Sequence, residues 1–277
     1  MRLSELRLDI SNPEASLDFY VGKLGMELVS ENDFPEQEEA IYELAFVYGT
    51  RLNLRHRSGE AYENASYKES ENDVYWKIGV TIADVDLARQ RLIEGGIEVT
   101  KPCQFYDIGY LCHLEDPDGY CIELLQHRFG KILQPRPPME GYPLGNEPRL
   151  GQISLTVRDA EESLAFYRDT LGMRLLSRQE VFAHGFTLTF LAFTDEPPPN
   201  PSINAVENRE WLWQRPYTTL ELRVYASHTQ RAAHPPESQL GFRGISIAGP
   251  EAERQKYRDP DGVLVNITSD RSCKGRD

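Results

Sequence analysis

Two glutamates lie in segments that are otherwise largely apolar, which makes them candidates for chemistry. Glu123 belongs to the segment CIELL, and Glu221 lies between Leu220 and Leu222. A carboxylate on such a strand is partly shielded from water and requires a cation or hydrogen-bond donors nearby. Carboxylate oxygens suit Mg²⁺, Mn²⁺ or borderline ions such as Ni²⁺ and Zn²⁺. The pattern therefore predicts two shielded carboxylates that face a cation or donors.

The elements that position these glutamates belong to an internal repeat. Residues 5–28 and 152–175 are two copies of one 24-residue segment with ten identical positions, including S-L-x-F-Y and L-G-M. A second motif closes each half, as DPDGYCIEL at 116–124 and DPDGVLVNI at 259–267. The chain therefore uses one module twice, and the two copies can be compared position by position.

Each copy opens with a strand and a helix. Residues 5–10 and 152–157 alternate apolar and polar side chains, which is typical of a strand in an antiparallel sheet. Helical spacing follows, and Gly25 or Gly172 stands at the predicted helix end. Further strands are predicted at 41–46, 51–55, 77–82, 110–114 and 120–125, with a helix at 85–94.

The predicted fold class is α+β, built from tandem βαβββ units. We predict a first module over 1–128, a proline-rich linker over 129–148 and a second module over 149–277. In the second module only GPEAERQKYR separates Ala248 from Asp259. That segment is too short for a helix and a strand, so the C-terminal unit is predicted to be shortened.

Composition narrows the classes of partner. The 277 residues carry a net charge of −14, which argues against nucleic acid because phosphate binding needs a basic surface. No apolar run approaches the ~20 residues of a membrane span, and no secretory signal is visible. The four cysteines fit no metal-ligand spacing. We expect a cytoplasmic monomer or homodimer with reduced thiols, acting on a small molecule.

The repeated motifs resemble the vicinal oxygen chelate superfamily, which includes glyoxalase I, extradiol dioxygenases and bleomycin-resistance proteins. The pattern is most similar to glyoxalase I, at FTLTFLAF (186–193), TTLEL (218–222), KIGVTIADV (77–85) and DPDGYCIEL (116–124). The resemblance implies two modules whose curved mixed or antiparallel sheets form a cleft. It carries less weight for activity, because one scaffold hosts unrelated chemistries.

The resemblance also implies a site for a divalent metal ion (Ni, Zn, Mn, Mg or Fe), divided between modules. The positions of one site are Gln152, Glu221, Lys77 and Glu123. Those of the other are Glu5, Asn53, Gly244 and Asn266, which form a vestigial set with a single carboxylate. Only the first set keeps the Gln/Glu/His/Glu pattern, with Lys77 in place of the histidine.

Lys77 leaves three interpretations open, the last being that these side chains are exposed to solvent and never meet. In the first, Gln152, Glu221 and Glu123 bind a metal, and Lys77 is an electrostatic or catalytic partner. In the second, no metal binds, because an ammonium is not a ligand near neutral pH and its charge replaces that of the metal. In every case Glu221 and Glu123 stand where the family's proton-transferring glutamate is expected.

The expected function is a glyoxalase-like, metal-dependent lyase or isomerase acting on a small oxygenated substrate. The substrate is expected not to be the usual glutathione hemithioacetal, because the positions of the family's glutathione clamp hold Thr156, Tyr225 and Asp73. One alternative is a metal-free, bleomycin-resistance-like binding protein. A second is a ring-cleaving dioxygenase, which requires two histidines and a carboxylate, whereas no histidine falls on a ligand position.

Four further residues are candidates for substrate binding. Arg7, Arg55 and Arg223 lie on polar strand faces and could bind a carboxylate or phosphate. Trp213 belongs to an aromatic stretch that could form a pocket wall or simply pack onto the sheet. His113 is predicted to lie near the cleft, where a structural role is favoured.

Overall fold

The structure is a computed structural model. It describes residues 1–47, 49–59, 62, 65–70, 73–132, 143–145, 147–226, 235–249 and 254–269. Half of the predicted linker, residues 133–142 with its prolines Pro135, Pro137 and Pro138, lies outside the described residues, as do His228, His234 and Cys273. The module boundaries stay a prediction.

Fifteen strands and four α-helices form the described fold. In the first half these are β1 (Arg2–Ile10), α1 (Pro13–Leu17), β2 (Glu27–Phe34), β3 (Glu39–Ala45), β4 (Arg51–Arg57), β5 (Tyr75–Ile82), α2 (Val85–Glu94), β6 (Cys103–Phe105), β7 (Gly109–Glu115) and β8 (Cys121–Gln126). In the second half they are β9 (Arg149–Thr156), α3 (Ala160–Leu164), β10 (Arg174–Val181), β11 (Phe186–Ala192), α4 (Glu207–Leu212), β12 (Thr219–Tyr225), β13 (Phe242–Gly249), β14 (Gln255–Arg258) and β15 (Leu264–Ser269).

The strands form two mixed sheets, and each sheet takes strands from both halves of the chain. A seven-stranded sheet has the order β14-β15-β13-β1-β4-β3-β2, and an eight-stranded sheet has the order β10-β11-β12-β9-β5-β8-β7-β6. The opening strand of each half has one antiparallel and one parallel neighbour: β1 lies between β13 and β4, and β9 lies between β5 and β12. The α+β fold of tandem units is confirmed, but the alternation of β1 and β9 did not reveal their parallel pairing.

The helix after each opening strand changes its winding along its length. Asn12 and Asp159 cap the N-termini of α1 and α3 by accepting backbone N–H groups. Both helices continue as π-helical turns, Asp18–Lys23 and Ala165–Thr170, in which backbone hydrogen bonds span five residues. The predicted glycine ends are correct, since Gly25 and Gly172 have φ of 78° and 81°.

The repeated DPDG motif joins the two units of each half. Asp116 accepts a hydrogen bond from the Tyr20 hydroxyl at 2.8 Å, and Asp259 accepts one from Tyr167 at the same distance. Each aspartate also accepts two backbone N–H groups of its own turn. Tyr20 follows a strand of one sheet, whereas Asp116 precedes a strand of the other. The motif therefore connects the two sheets within each half.

The last unit of the chain is compact. Five residues separate β13 from β14, whereas twenty residues, including α2, separate β5 from β6. That spacing leaves no room for a counterpart of α2. One large apolar core with residues from both sheets lies beneath the strands, and a smaller cluster around Trp213 packs against the eight-stranded sheet. No described helix combines the length and apolar character needed to cross a membrane.

Candidate functional site

The eight-stranded sheet brings together the four positions of the first predicted site. Glu221 lies on β12, Gln152 on β9, Lys77 on β5 and Glu123 on β8. In register, Glu221 pairs with Ser154, which pairs with Lys77, while Gln152 and Glu123 both pair with residue 79. The four side chains thus come from neighbouring strands, two from each half of the chain.

Lys77 lies between the two glutamates. Its Nζ atom is 2.5 Å from Glu123 Oε2 and 4.0 Å from Glu221 Oε2. The three side chains are 5%, 4% and 2% exposed, so this is a buried ionic cluster with little solvent screening. The ammonium also lies 4.0 Å from the ring centroid of Trp76, a cation–π contact.

Glu221 is held mainly by hydrogen bonds rather than by the ammonium. Its Oε2 accepts from Gln152 Nε2 at 2.6 Å and from Ser154 Oγ at 2.5 Å. Gln152 Nε2 also donates to Ser154 Oγ at 2.9 Å. The remaining amide oxygen, Gln152 Oε1, is buried without a hydrogen-bond partner.

The surroundings shift the pKa values of the three ionisable groups in different directions. Burial alone would lower the pKa of Lys77, but the charges of Glu123 and Glu221 raise it above its usual value. Burial would raise the pKa of Glu123, yet Lys77 and a hydrogen bond from His113 bring it to about 2. Burial raises the pKa of Glu221. The charge of the more distant Lys77 would lower it, but the Glu123 anion opposes that effect. Glu123 is therefore a fixed anion, and Glu221 is the carboxylate that accepts a proton more readily.

His113 belongs to the cluster, although sequence reasoning favoured a structural role for it. His113 lies on β7, the neighbour of β8, and its Nε2 is 3.0 Å from Glu123 Oε2. The side chain is 39% exposed, so it links Glu123 to solvent. Alternation along β7 predicted that His113 lies near the cleft. Its contact with Glu123 could not be predicted in this way, because it depends on the pairing of β7 with β8.

The cluster forms the polar end of an otherwise apolar pocket of about 70 Å³. For scale, a cavity of roughly 150 Å³ holds a benzene molecule, so this space encloses only a small part of a ligand. Its apolar walls are formed by Trp76, Phe105, Ile108, Leu111, Leu125, Phe186, Leu188 and Trp213. Trp213 is buried and donates its indole N–H to Ile108 O at 2.8 Å, so it both packs and lines the pocket.

Two glycines allow side chains that line the pocket to pack against the strand backbone. A Cβ atom at Gly79 would lie 2.8 Å from Gln152 Cβ, which is too close for any real side chain. At Gly109 it would lie 2.5 Å from Leu125 Cδ1. Gly79 pairs with both Gln152 and Glu123, so its missing side chain lets Gln152 approach β5 closely.

The predicted substrate-binding arginines are not brought together. Arg223 lies behind the pocket, where its guanidinium is 3.9 Å from the Trp76 ring centroid and donates to Thr156 Oγ1 at 2.8 Å. Arg7 and Arg55 lie on β1 and β4 of the other sheet.

Arg55 forms a buried ion pair there. Its Nε donates to Asp9 Oδ1 at 2.6 Å, and Asp9 also pairs with Arg243 through a contact of 2.5 Å. Arg55 is therefore engaged in an internal ionic cluster rather than facing the pocket of the eight-stranded sheet.

The second predicted set lies in the seven-stranded sheet. Glu5 Oε2 accepts from Asn53 at 3.3 Å and from Ser246 at 3.0 Å. At Gly244, a Cβ atom would lie 2.2 Å from the Leu264 carbonyl oxygen. That this set, which ends with Asn266 on β15, is vestigial stays a prediction.

The residues of the first set do not fit a divalent metal ion. Three oxygen donors remain in Gln152, Glu221 and Glu123, but the fourth position holds an ammonium in direct contact with Glu123. A buried cation beside the donors repels a second cation and supplies no lone pair. Within the described residues, no group of three or more histidine, cysteine, aspartate or glutamate side chains is arranged to hold a metal.

The amino-acid sequence is similar to those of known proteins over part of its length. Glyoxalase I of Saccharomyces cerevisiae is 26% identical over 214 residues, which cover 69% of this chain and 63% of the yeast protein. A lactoylglutathione lyase of Neisseria meningitidis is 35% identical over 139 residues, which cover 47% of this chain and 94% of that protein. The chain thus spans less than two thirds of the yeast relative's length.

Solved structures show the same fold. Glyoxalase I from Zea mays aligns with a TM-score of 0.70 at 18% identity, covering 97% of this chain and 92% of the maize chain. A putative dioxygenase from Bacillus subtilis aligns with a TM-score of 0.63 at 12% identity, covering 98% of this chain and 86% of its own. At such identities the similarity concerns the fold alone.

A match to a family model, rather than these pairwise similarities, assigns the chain to a family. The model described as Glyoxalase/Bleomycin resistance protein/Dioxygenase superfamily matches residues 2–124 and again residues 149–267. The resemblance seen in the repeated motifs is thereby confirmed in both halves. Because the two matches together cover most of its residues, the chain belongs to the glyoxalase/bleomycin resistance protein/dioxygenase superfamily.

Proposed function

We propose that the chain is a lyase or isomerase of the glyoxalase type, which moves a proton on a small oxygenated substrate in the pocket of the eight-stranded sheet. The observation that carries this proposal is the position of Lys77, which contacts Glu123 at 2.5 Å but stays 4.0 Å from Glu221. One carboxylate is thereby neutralised, while the other keeps its capacity to accept a proton.

Glu221 is the proposed general base. Its raised pKa suits proton transfer closer to neutral pH, and Gln152 and Ser154 fix its orientation. In the proposed step, a C–H bond next to a carbonyl group breaks and its proton passes to Glu221. The electron pair of that bond forms the C=C bond of an enediolate, and the carbonyl π pair moves to the carbonyl oxygen. The substrate's hydroxyl proton passes to that oxygen, and the same carboxyl group returns its proton to the former carbonyl carbon, so that the carbon bearing the hydroxyl becomes the new carbonyl.

Lys77 is the proposed electrostatic partner. Its ammonium stabilises the negative charge that develops on the substrate oxygen, in a pocket whose other walls are apolar. Glu123 acts as a positioning residue, since it holds the ammonium at the pocket floor. A divalent metal would supply similar stabilisation, but no step is assigned to one because the residues do not fit it.

The proposed substrate is not the glutathione hemithioacetal. Thr156, at one predicted clamp position, accepts hydrogen bonds from Arg223, and Asp73, at another, accepts one from Tyr67 at 3.1 Å. Both groups are thus engaged within the protein. The relatives named as lactoylglutathione lyases make the hemithioacetal the first compound to test.

The experiment measures proton exchange in D₂O by NMR. The purified protein is incubated with a panel of small α-hydroxycarbonyl compounds and, separately, with glutathione plus methylglyoxal. We expect exchange at the α-carbon of at least one panel member and no hemithioacetal turnover above background. Glu221→Gln should reduce the exchange rate by about 100-fold or more, whereas the exposed Glu207→Gln should leave it unchanged.

Two outcomes contradict the proposal. Exchange that persists in Glu221→Gln excludes this residue as the base. Binding of panel compounds without any exchange favours the alternative, a metal-free binding protein, which the aromatic lining by Trp76, Phe105 and Phe186 supports. The ring-cleaving alternative has weaker support, because among the described residues only His113 brings an imidazole to the pocket.

A further inference from the structure

We propose that Lys77 is the resident cation of this site and excludes divalent metal ions, so that the site becomes a metal site only when position 77 holds a histidine. This inference concerns the charge of the site and stands whether or not the site turns over a substrate.

Three oxygen-bearing side chains already converge from three strands. Glu123 and Glu221 both direct Oε2 toward Lys77 Nζ, and Gln152 bonds to Glu221 through its nitrogen. Gln152 Oε1 is consequently buried with its lone pairs unused. Oxygen donors of this kind suit a hard or borderline divalent cation, so the donor set lacks only a neutral fourth ligand.

The ammonium takes the space and the charge that such an ion would need. Two carboxylates and one ammonium leave the three side chains with a net charge of −1. Adding a divalent ion without removing the ammonium would place three positive charges against two negative ones in a buried space. The repulsion would act at contact distance with little solvent screening.

The Lys77 side chain cannot leave the site without disturbing its neighbours. It is 5% exposed and lies against Trp76, so it cannot swing into solvent without displacing the indole ring. Such a movement would also break the 2.5 Å contact between its Nζ atom and Glu123 Oε2.

A histidine at position 77 would change both properties. A neutral imidazole supplies a nitrogen lone pair. Because the substitution also removes the ammonium, the two carboxylates are left without a cation. One imidazole nitrogen with carboxylate and amide oxygens is a donor set that Zn²⁺ and Ni²⁺ accept.

The test compares the full-length parent, Lys77→His and Lys77→His/Glu123→Gln. Each protein is purified without chelator, loaded with Zn²⁺ or Ni²⁺ and dialysed, and its metal content is measured by mass spectrometry and calorimetric titration. We expect no stoichiometric metal in the parent and affinity about 100-fold or more higher in Lys77→His. The double variant should lose that gain, because it removes a ligand from the same site.

Stoichiometric metal in the parent that Glu123→Gln removes would overturn the proposal. So would a Lys77→His protein that is folded by circular dichroism and binds no metal. If Lys77→His does not fold, titration of the parent decides alone. An unchanged Tm with excess Zn²⁺ supports exclusion, and a rise in Tm that Glu123→Gln abolishes contradicts it.

Discussion

Replacing Lys77 by methionine should destabilise the protein by about 3–5 kcal/mol at neutral pH, because it leaves two buried carboxylates without their cation. Methionine has a similar length and fills the same volume, so packing against Trp76 is largely kept. The change therefore isolates the charge. The carboxylates cannot reach water, as both glutamates are almost fully buried.

The magnitude follows from the distances. At an effective dielectric of about 20, the 2.5 Å contact with Glu123 corresponds to roughly 7 kcal/mol, and the 4.0 Å separation from Glu221 to roughly 4 kcal/mol. Burying each of the three ions costs several kcal/mol, so the intact cluster comes close to balance. Without Lys77, the cost of the two anions remains until one of them takes up a proton, which limits the loss.

The assay is urea unfolding followed by tryptophan fluorescence at pH 7 and pH 5, with the slope of the transition checked for constancy. The loss should be smaller at pH 5. In the variant both carboxyl pKa values lie above their unfolded values, so protonation on lowering the pH stabilises the folded state. Lys77→Met/Glu123→Gln should recover about 1–2 kcal/mol relative to Lys77→Met, since the second change removes an unpaired charge.

A loss below about 1 kcal/mol that is equal at both pH values would refute the reasoning. It would mean that the ammonium is hydrated in solution rather than paired with Glu123 and Glu221. A double variant that is as unstable as the two single changes added together would refute the coupling in particular.

Three further changes have defined outcomes. Gly79→Ala should cost about 1–3 kcal/mol in urea unfolding, since its Cβ atom would lie 2.8 Å from Gln152 Cβ. Tyr167→Phe should cost about 1–3 kcal/mol in the same assay, because it removes the 2.8 Å donor to buried Asp259. Burial lowers the pKa of His127 to about 4, so stability should fall as the pH drops from 6.5 toward 4. Comparing His127→Asn with the parent at pH 7.5 and pH 5 should give the variant a relative gain of about 2 kcal/mol at the lower pH.

The changes at Gly79 and Tyr167 each have a control on the surface. Gly22→Ala and Tyr106→Phe alter exposed residues and should stay within about 0.5 kcal/mol of the parent. Equal losses at Gly79 and Gly22, or at Tyr167 and Tyr106, would contradict the packing and hydrogen-bond arguments. A His127→Asn difference that is the same at both pH values would exclude proton uptake as its cause.

Alternation along the strands predicted which side chains share a face, but not which strands lie side by side. Glu123 and Glu221 could be joined only through the resemblance, because β8 and β12 are far apart in the sequence and are linked through β5 and β9. The same limit applies to Arg7 and Arg55. Their polar faces were identified, yet the pairing of β1 with β13 places them in the other sheet.

Trp76 and Gly79 had signals too weak to read, whereas Lys77 was identified only through the resemblance. Trp76 and Lys77 are consecutive and both line the pocket, which follows from a register shift between β5 and β9 that alternation does not show. Gly79 is one of many glycines, and its role depends on the neighbouring Gln152. The sequence left two answers to the metal question for the same reason, because charge balance depends on which side chains meet.

The interleaving of the two sheets has a consequence for how the protein is made on the ribosome. Strand β1 is synthesised more than 200 residues before its neighbour β13, which starts at Phe242. Likewise β5 must wait for β9. Until then each sheet has an open edge able to pair with another nascent chain. The candidate pocket therefore assembles only after both halves have been synthesised, because two of the four side chains of the first predicted site come from each half.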